Sequence, residues 1–157
     1  MCSIVGLDMT KDFSFFTVPA VLIATCMGPH LYAVHKAGKS YDNACPRGFK
    51  EGVEKSDVLD KTTKRRIMRA QAASDNGFET LGLYAAGVVA ARVAGVNPCQ
   101  VNGLTAGYLA ARMAYVAVYV HLQEDRRMAS LRTAVWLTSI GLAVSLWVRA
   151  GLETLRR

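Results

Sequence analysis

One arginine and two tyrosines interrupt an apolar segment that covers residues 109–122. In a helix, Arg112, Tyr115 and Tyr119 share one face because they stand three and seven positions apart, and Tyr108 precedes the arginine by about one turn. The arginine lies near the middle of a run long enough to cross a bilayer, where it costs at least roughly 2.5–3.5 kcal/mol. The polar stripe therefore predicts that this helix uses the arginine to bind something.

Apolar blocks of this length recur along the chain. Hydrophobic residues make up 52% of the 157 residues, and the mean hydropathy is +0.19, which favours a membrane protein. The predicted spans are residues 13–34, 77–96, 101–122 and 131–150. We therefore expect a single domain over residues 1–157, an all-α membrane protein with four transmembrane helices in an antiparallel bundle.

The segments between the predicted spans indicate how neighbouring helices are joined. Residues 36–75 are polar and begin with turn chemistry in KSYDNACPRGF, whereas the following DVLDKTTKRRIMRAQAASD has good helix formers that lead into the second span. A tight turn at residues 97–100 makes the second and third spans an antiparallel hairpin. Residues 1–12 lack a basic segment followed by a cleavage site, so the first span is expected to remain in the membrane.

Charge predicts the orientation. Four spans place the loops 36–75 and 123–130 on one side, with both termini on the other, and the loop side holds most lysines and arginines, so it is expected to face the cytoplasm. The net charge of +7 lies mostly between apolar blocks, which favours a membrane partner over nucleic acid. The four cysteines lack CxxC spacing, so we expect free thiols and no metal site.

A second group of polar residues lies where the second span begins. Glu79 groups with Asn76, and with Arg69 further back on a similar face, although a solvated helix end would show the same spacing. The residues expected at the cytosolic end, above the deeper Arg112, are Tyr119, Glu79, Asn76, Arg69, Arg126, Arg127 and Arg132. An anionic molecule from the cytosol would meet a basic, tyrosine-lined cleft.

Three motifs, together with the order and length of the spans, carry a family resemblance over essentially the whole chain. YDNACPR at residues 41–47 is similar to a YDNxxPR pattern, RAQAASDNGFE at residues 69–79 is similar to an Arg-Ala…Asn-x-x-Glu pattern, and Arg112-x-x-Tyr115-x-x-x-Tyr119 follows. The chain thereby resembles the MAPEG family, the membrane-associated proteins in eicosanoid and glutathione metabolism, which includes microsomal glutathione transferases.

The resemblance implies a homotrimer of four-helix subunits, with glutathione bound as co-substrate between neighbouring subunits near the cytosolic face. By matching positions, Asn76 and Glu79 would hold the glutathione backbone. Arg112 would pair with a carboxylate, and Tyr115 and Tyr119 would line the site. A guanidinium fork suits the two carboxylates of glutathione, and a carboxylate side chain could accept its ammonium group.

The resemblance also implies an arginine near the start of the fourth helix that stabilises the glutathione thiolate. Arg126 and Arg132 compete for this catalytic role, and LRTAVW, which is similar to an LRSxxW pattern, favours Arg132. Many relatives carry a further arginine four residues before the asparagine. That position is Ala72 here, so Arg69, about one turn earlier, is the nearest candidate for binding.

Two functions of different classes follow from these residues. The first is a glutathione-dependent transferase or peroxidase that acts on lipophilic electrophiles partitioned into membrane lipid. The alternative is a non-catalytic oligomeric membrane scaffold that uses the same stripe for assembly. A transporter would need polar residues through the depth of a pore, and the fourth span offers only Thr138, Ser139 and Ser145.

Overall fold

The computed structural model describes residues 3–4, 7–8 and 10–156. Near the N-terminus, strands β1 (Ser3–Ile4) and β2 (Leu7–Asp8) form a two-residue antiparallel pair. Every other regular element among the described residues is helical, and the long helices form four columns. This agrees with the predicted helical bundle.

The first column is continuous but changes its winding in the middle. It consists of α1 (Ser14–Val21), a π-helical segment (Leu22–Met27) and α2 (Gly28–Ala37). The π-helical segment lies between Pro19 and Pro29, each of which lacks the N–H that would complete the regular helical ladder.

The polar loop after the first column contains more helix than the sequence predicts. Short 3-10 turns form at Gly38–Ser40 and Pro46–Gly48, and α3 (Phe49–Lys55) follows them. Turn chemistry was expected in this segment, whereas α3 was not. Phe49 and Val53 are buried, so one apolar face holds this helix against the bundle.

The second column, α4 (Lys61–Val93), is the longest helix in the described chain. Asp60 caps it by accepting hydrogen bonds from the backbone N–H groups of Thr62 and Thr63. Its 33 residues extend about 50 Å, which exceeds the roughly 30 Å of a bilayer's hydrocarbon core. The predicted helical extension before the second span is therefore present.

The third and fourth columns complete the bundle. Helix α5 (Pro98–Ala117) continues as a π-helical segment (Val118–Leu122), and α6 (Met128–Thr154) follows a short turn. Helix α5 packs mainly against α6, while α4 packs against both α2 and α6. These columns coincide with the predicted third and fourth spans.

The turn between α4 and α5 lies three residues earlier than predicted. Helix α4 ends at Val93 and Gly95 adopts a φ of 74°, which a residue with a side chain rarely tolerates. Pro98 stands in the first turn of α5, and the Asn97 side chain accepts a hydrogen bond from the Cys99 N–H. Proline near the start of a helix and asparagine at its cap move the turn to residues 94–97.

This turn and the start of the first column lie at one end of the bundle. Asn102 accepts a hydrogen bond from the Phe13 N–H at 2.9 Å and donates one to the Lys11 carbonyl at 2.7 Å. Arg92 forms a 3.0 Å ion pair with Asp12. Arg92 therefore anchors the end of α4 to the segment that precedes α1.

Two of the columns are long and apolar enough to span a membrane. The stretches Ser14–Ser40 and Met128–Thr154 qualify, and only 28% and 22% of their most apolar windows are buried. Low burial distinguishes such helices from the core helices of a soluble protein. Helices α4 and α5 do not reach the same combination of length and hydropathy, so their crossing of the membrane stays a prediction.

The cysteines depart in part from the expected free thiols. Cys26 is buried and free, and Cys45 is exposed and free. Cys99 is disulfide-bonded, so the expectation is wrong there. Cys2 lies outside the described residues. Because Cys99 stands at the start of α5, the disulfide belongs to the end of the bundle where α4 and α5 meet.

Candidate functional site

Arg112 is fully buried inside the bundle, on the face of α5 that turns towards α4. Its Nη1 donates a 2.9 Å hydrogen bond to Asn76 Oδ1, and its guanidinium lies 4.8 Å from the centre of the Tyr115 ring. Its Nε and Nη2 are buried without a hydrogen-bond partner among the described residues. A buried charge with open donors is costly unless a further acceptor reaches it.

A close helix contact determines where Asn76 lies. A Cβ atom at the next residue, Gly77, would stand 2.8 Å from the Thr25 carbonyl oxygen and 2.9 Å from Cys26 Sγ. Only glycine allows α4 to approach the first column this closely. The contact fixes the rotation of α4, which directs Asn76 towards α5 and Arg112.

A cavity of about 320 Å³ opens beside this pair. Its volume is near the lower end of the roughly 300–1,000 Å³ that is typical of small-molecule sites. The lining residues are Asn76, Tyr115, Tyr119, Arg132, Thr133 and Trp136. The cavity is thus formed by α4, by α5 with its π-helical extension, and by the first turns of α6.

The cavity-lining Tyr115, Tyr119 and Arg132 form a continuous stack with Arg112, which is buried behind Tyr115 and does not itself line the cavity. The Tyr115 and Tyr119 rings lie 5.7 Å apart with a 46° tilt, and the guanidinium of Arg132 lies 5.0 Å from the centre of the Tyr119 ring. Arg112 covers Tyr115 at the deep end of the same stack. Two cations therefore enclose two phenol groups, an arrangement that suits an elongated ligand with more than one negative charge.

Tyr108, the fourth member of the predicted stripe, has a different role. Its ring stacks on Tyr84 at 3.9 Å, and its hydroxyl donates to Thr80 Oγ1 at 3.3 Å. Tyr84 in turn shares a short hydrogen bond with Thr17. These side chains fill the bundle deeper than Arg112, and Tyr108 does not line the cavity.

A model of the MAPEG family matches residues 16–152 of the chain. The chain belongs to the MAPEG family. No curated protein and no solved structure matches it. The matched range includes all four helical columns apart from a few terminal residues, so this MAPEG protein is an integral membrane protein built as a helical bundle.

Arg69 of the MAPEG chain contacts a loop instead of the cavity. Its Nη2 lies 3.3 Å from Glu124 Oε1 and 3.4 Å from the Val120 carbonyl oxygen, and Arg66 donates a 2.9 Å hydrogen bond to the same carboxylate. The Arg66 hydrogen bond is the main reason that the pKa of Glu124 is lowered from its ordinary value of 4.5, with Arg69 adding to the effect. This cluster ties the loop before α6 to α4, so the loops 36–75 and 123–130 share one end of the bundle, as predicted.

Glu79 and Arg126 both lie outside the cavity of the single chain. Glu79 is exposed on α4 and close enough to Tyr115 for an electrostatic interaction. Arg126 is exposed in the turn that precedes α6. The structure therefore brings Arg132 into the cavity, whereas Arg126, in the turn before α6, is not among its lining residues.

Thr133 and Trp136 line the cavity but were not among the predicted site residues. Both stand in LRTAVW. Trp136, four positions after Arg132, shares the face of that arginine, whereas Thr133 follows it directly and points about 100° away. A helical projection of that motif would have identified Trp136 once Arg132 was assigned to the site, whereas the position of Thr133 depends on how α6 packs against α4 and α5.

Proposed function

We propose that this MAPEG protein is a glutathione-dependent transferase or peroxidase that acts on lipophilic electrophiles dissolved in membrane lipid. The observation that carries the proposal is Arg112, fully buried beside the cavity with two nitrogen donors that no described residue satisfies. A ligand carboxylate between these donors would complete a bidentate, charge-assisted pair. Family membership supports glutathione as the ligand.

The residues around the cavity fit the chemistry of glutathione. Glutathione carries two carboxylates, an ammonium group and a thiol. Arg112 would bind one carboxylate at the deep end, with Asn76 fixing the guanidinium through the hydrogen bond already present. The tyrosine hydroxyls would bind backbone polar groups of the peptide. The exposed Glu79, contributed by a neighbouring subunit of a homotrimer, would accept a hydrogen bond from the ammonium group.

Arg132 is the residue that we assign to activation of the thiol. A thiolate is the reactive nucleophile, and a nearby guanidinium favours it over the neutral thiol. Arg132 stands at the rim of the cavity on α6, which is one of the two stretches apolar enough to span a membrane. A lipophilic electrophile would thus reach the sulfur from the lipid side, while glutathione would arrive from the polar end.

The proposed orientation places the loops 36–75 and 123–130 in the cytoplasm and both termini on the opposite side. The basic residues of these loops support it. The disulfide bond of Cys99 also supports it, because disulfides persist on the non-cytoplasmic side of most membranes. Glutathione, a cytosolic thiol, would then have direct access to Arg132.

The test combines binding with two parallel assays. Glutathione is titrated calorimetrically into the purified protein in a detergent that preserves its oligomer. Glutathione consumption is then followed with an aryl halide for conjugation and with a lipid hydroperoxide for reduction. We expect binding and consumption in at least one assay, and absence of glutathione binding would overturn the proposal.

Arg112→Ala distinguishes the proposed enzyme from the alternative, a non-catalytic membrane scaffold that uses the same polar stripe for assembly. An enzyme predicts loss of glutathione binding with the oligomer intact. A scaffold predicts dissociation of the oligomer instead. Arg149→Ala is the matched control, because Arg149 is an exposed arginine on α6 far from the cavity.

A further inference from the structure

A second cavity, of about 290 Å³, lies on another side of α4, between α2, α3 and the Pro46–Gly48 turn. Its polar lining consists of His30, Arg47, Lys50, Gln71 and Asp75. The two cavities share no lining residue, although Asp75 and Asn76 are neighbours in α4. Successive helical residues point about 100° apart, so the same helix serves both cavities with different faces.

A chain of hydrogen bonds fixes the proton positions in this second cavity. The Asp75 carboxylate only accepts, so the 2.7 Å contact from Gln71 Nε2 to Asp75 Oδ1 identifies the amide nitrogen of Gln71. The amide oxygen then faces His30 Nδ1 at 2.8 Å and must accept a hydrogen bond from it. A neutral His30 is therefore protonated at Nδ1, which leaves Nε2 as a hydrogen-bond acceptor.

Two aromatic rings hold His30 in place. Tyr41 and Phe49 each contact the imidazole edge-on with ring centres 6.4 Å apart, and they contact each other at 5.2 Å. Tyr41 begins the YDNACPR motif and Arg47 ends it. The motif thus supplies both an aromatic support for His30 and a cation for the same cavity.

The charges of the cavity favour an anion. Lys50 pairs with Asp75 at 3.0 Å, so these two charges compensate each other. Arg47 is exposed and forms no ion pair or hydrogen bond with any described residue, which leaves its full fork of donors available. With His30 neutral, the lining carries one net positive charge, and the acceptor Nε2 calls for a ligand that also presents an O–H or N–H donor.

We propose that this cavity is a binding site for a phosphomonoester group. Two phosphate oxygens would take the bidentate fork of Arg47, and a third would lie near Lys50. The hydroxyl of the singly ionised phosphate would donate to His30 Nε2. A phosphomonoester loses its second proton near pH 6, so part of the population still carries this O–H donor at neutral pH.

The phosphate chemistry has two natural sources at this end of the bundle. The cavity is lined mainly by residues of the basic loop 36–75, which is expected on the cytoplasmic side, so a lipid with a phosphomonoester headgroup in that leaflet could reach it. A soluble phosphate ester could reach it as well. A carboxylate of equal charge would satisfy Arg47 but would offer no donor to His30.

The test uses three ligands on the full-length protein in detergent micelles. Glycerol 3-phosphate represents the soluble ester, dioctanoyl phosphatidic acid the lipid ester, and dioctanoyl phosphatidylcholine a phosphodiester without the terminal O–H. Calorimetry measures the first, and native mass spectrometry counts bound lipids for the other two. We expect binding of glycerol 3-phosphate, phosphatidic acid or both, and binding of phosphatidic acid above phosphatidylcholine.

Three variants make the test specific. Arg47→Gln should weaken phosphomonoester binding at least about tenfold, because it removes charge-assisted hydrogen bonds. Asp75→Asn should strengthen it, because the cavity loses its one negative charge and Lys50 loses its partner. Arg65→Gln, at an exposed arginine of α4 outside the cavity, should leave it unchanged.

Two results would overturn the inference. One is the absence of binding of both phosphomonoesters to the wild-type protein at millimolar concentration, and the other is binding that Arg47→Gln leaves intact. Glutathione titrated into Arg47→Gln keeps this inference distinct from the proposed function. Unchanged glutathione affinity is expected, whereas its loss would assign the second cavity to the glutathione site and end the claim for a separate one.

Discussion

Replacement of Arg112 by methionine should separate binding from stability. Methionine is unbranched and apolar, reaches about as far as the arginine Nε, and lacks the charge and the donors. The change removes one charge-assisted hydrogen bond to Asn76, worth about 1.5–3 kcal/mol, and the contact with the Tyr115 ring, worth up to about 2 kcal/mol. It also removes the desolvation cost of a buried charge, which amounts to several kcal/mol.

These contributions nearly cancel in the ligand-free protein. Two of the three guanidinium nitrogens of Arg112 have no described partner, so its burial is poorly compensated. We therefore expect the melting temperature of ligand-free Arg112→Met to equal or exceed that of the wild type. Glutathione binding should weaken at least about a hundredfold, because two charge-assisted hydrogen bonds of roughly 1.5–3 kcal/mol each disappear.

The assay is thermal unfolding in detergent, with and without saturating glutathione, followed by tryptophan fluorescence. The wild type should show a glutathione-dependent rise in melting temperature that the variant lacks. Arg149→Met serves as the matched exposed control and should behave as the wild type. A large drop in the melting temperature of the ligand-free variant, or a retained glutathione shift, would refute the reasoning about Arg112.

Further predictions concern the surrounding helices and loops. Glu124→Gln should lower the melting temperature at neutral pH. Because the pKa of Glu124 is lowered in the folded protein, its contribution to stability is full above pH 4.5 and is lost as the pH falls through the folded pKa. The melting temperatures of the variant and the wild type should therefore converge in acid. A difference in melting temperature that stays constant with pH would contradict this. Gly77→Ala should destabilise the protein by about 1–3 kcal/mol in chemical unfolding, since its Cβ would meet backbone of the first column, whereas Gly82→Ala meets nothing within 4 Å and should be neutral or stabilising. A membrane-impermeant maleimide should label the exposed Cys45, but not the buried Cys26, only in vesicles that present the proposed cytoplasmic face outwards.

The helical columns were predictable because their signals are local. Apolar blocks of bilayer length and polar interruptions indicate where each span begins and ends. The turn before α5 shows the limit of this reasoning: its length of four residues was predicted, but the cap formed by Asn97 shifted it towards α4. Helix α3 escaped prediction because it is short and depends on burial of Phe49 and Val53 against other helices.

The candidate site was predictable only where its residues share a helix. Arg112, Tyr115 and Tyr119 were placed on one face by helical periodicity alone. Periodicity could not predict the partner of Arg69, because Glu124 lies in the loop before α6. The ion pair depends on how α5 and α6 are placed beside α4. Contacts between elements follow from packing, which a single sequence does not encode locally.

In the proposed site, Arg112 and Arg132 could exchange their contacts with the tyrosine rings for contacts with a ligand. Each cation–π contact, Arg112 on Tyr115 and Arg132 on Tyr119, is worth about 0.5–2 kcal/mol. A bidentate pair with a carboxylate is stronger than either contact, because ionised hydrogen bonds are roughly twice as strong as neutral ones. The tyrosines would therefore hold both guanidinium groups near their working positions and release them at small cost. Arg126 has no such contact with either tyrosine, which is the physical reason to assign the thiol to Arg132.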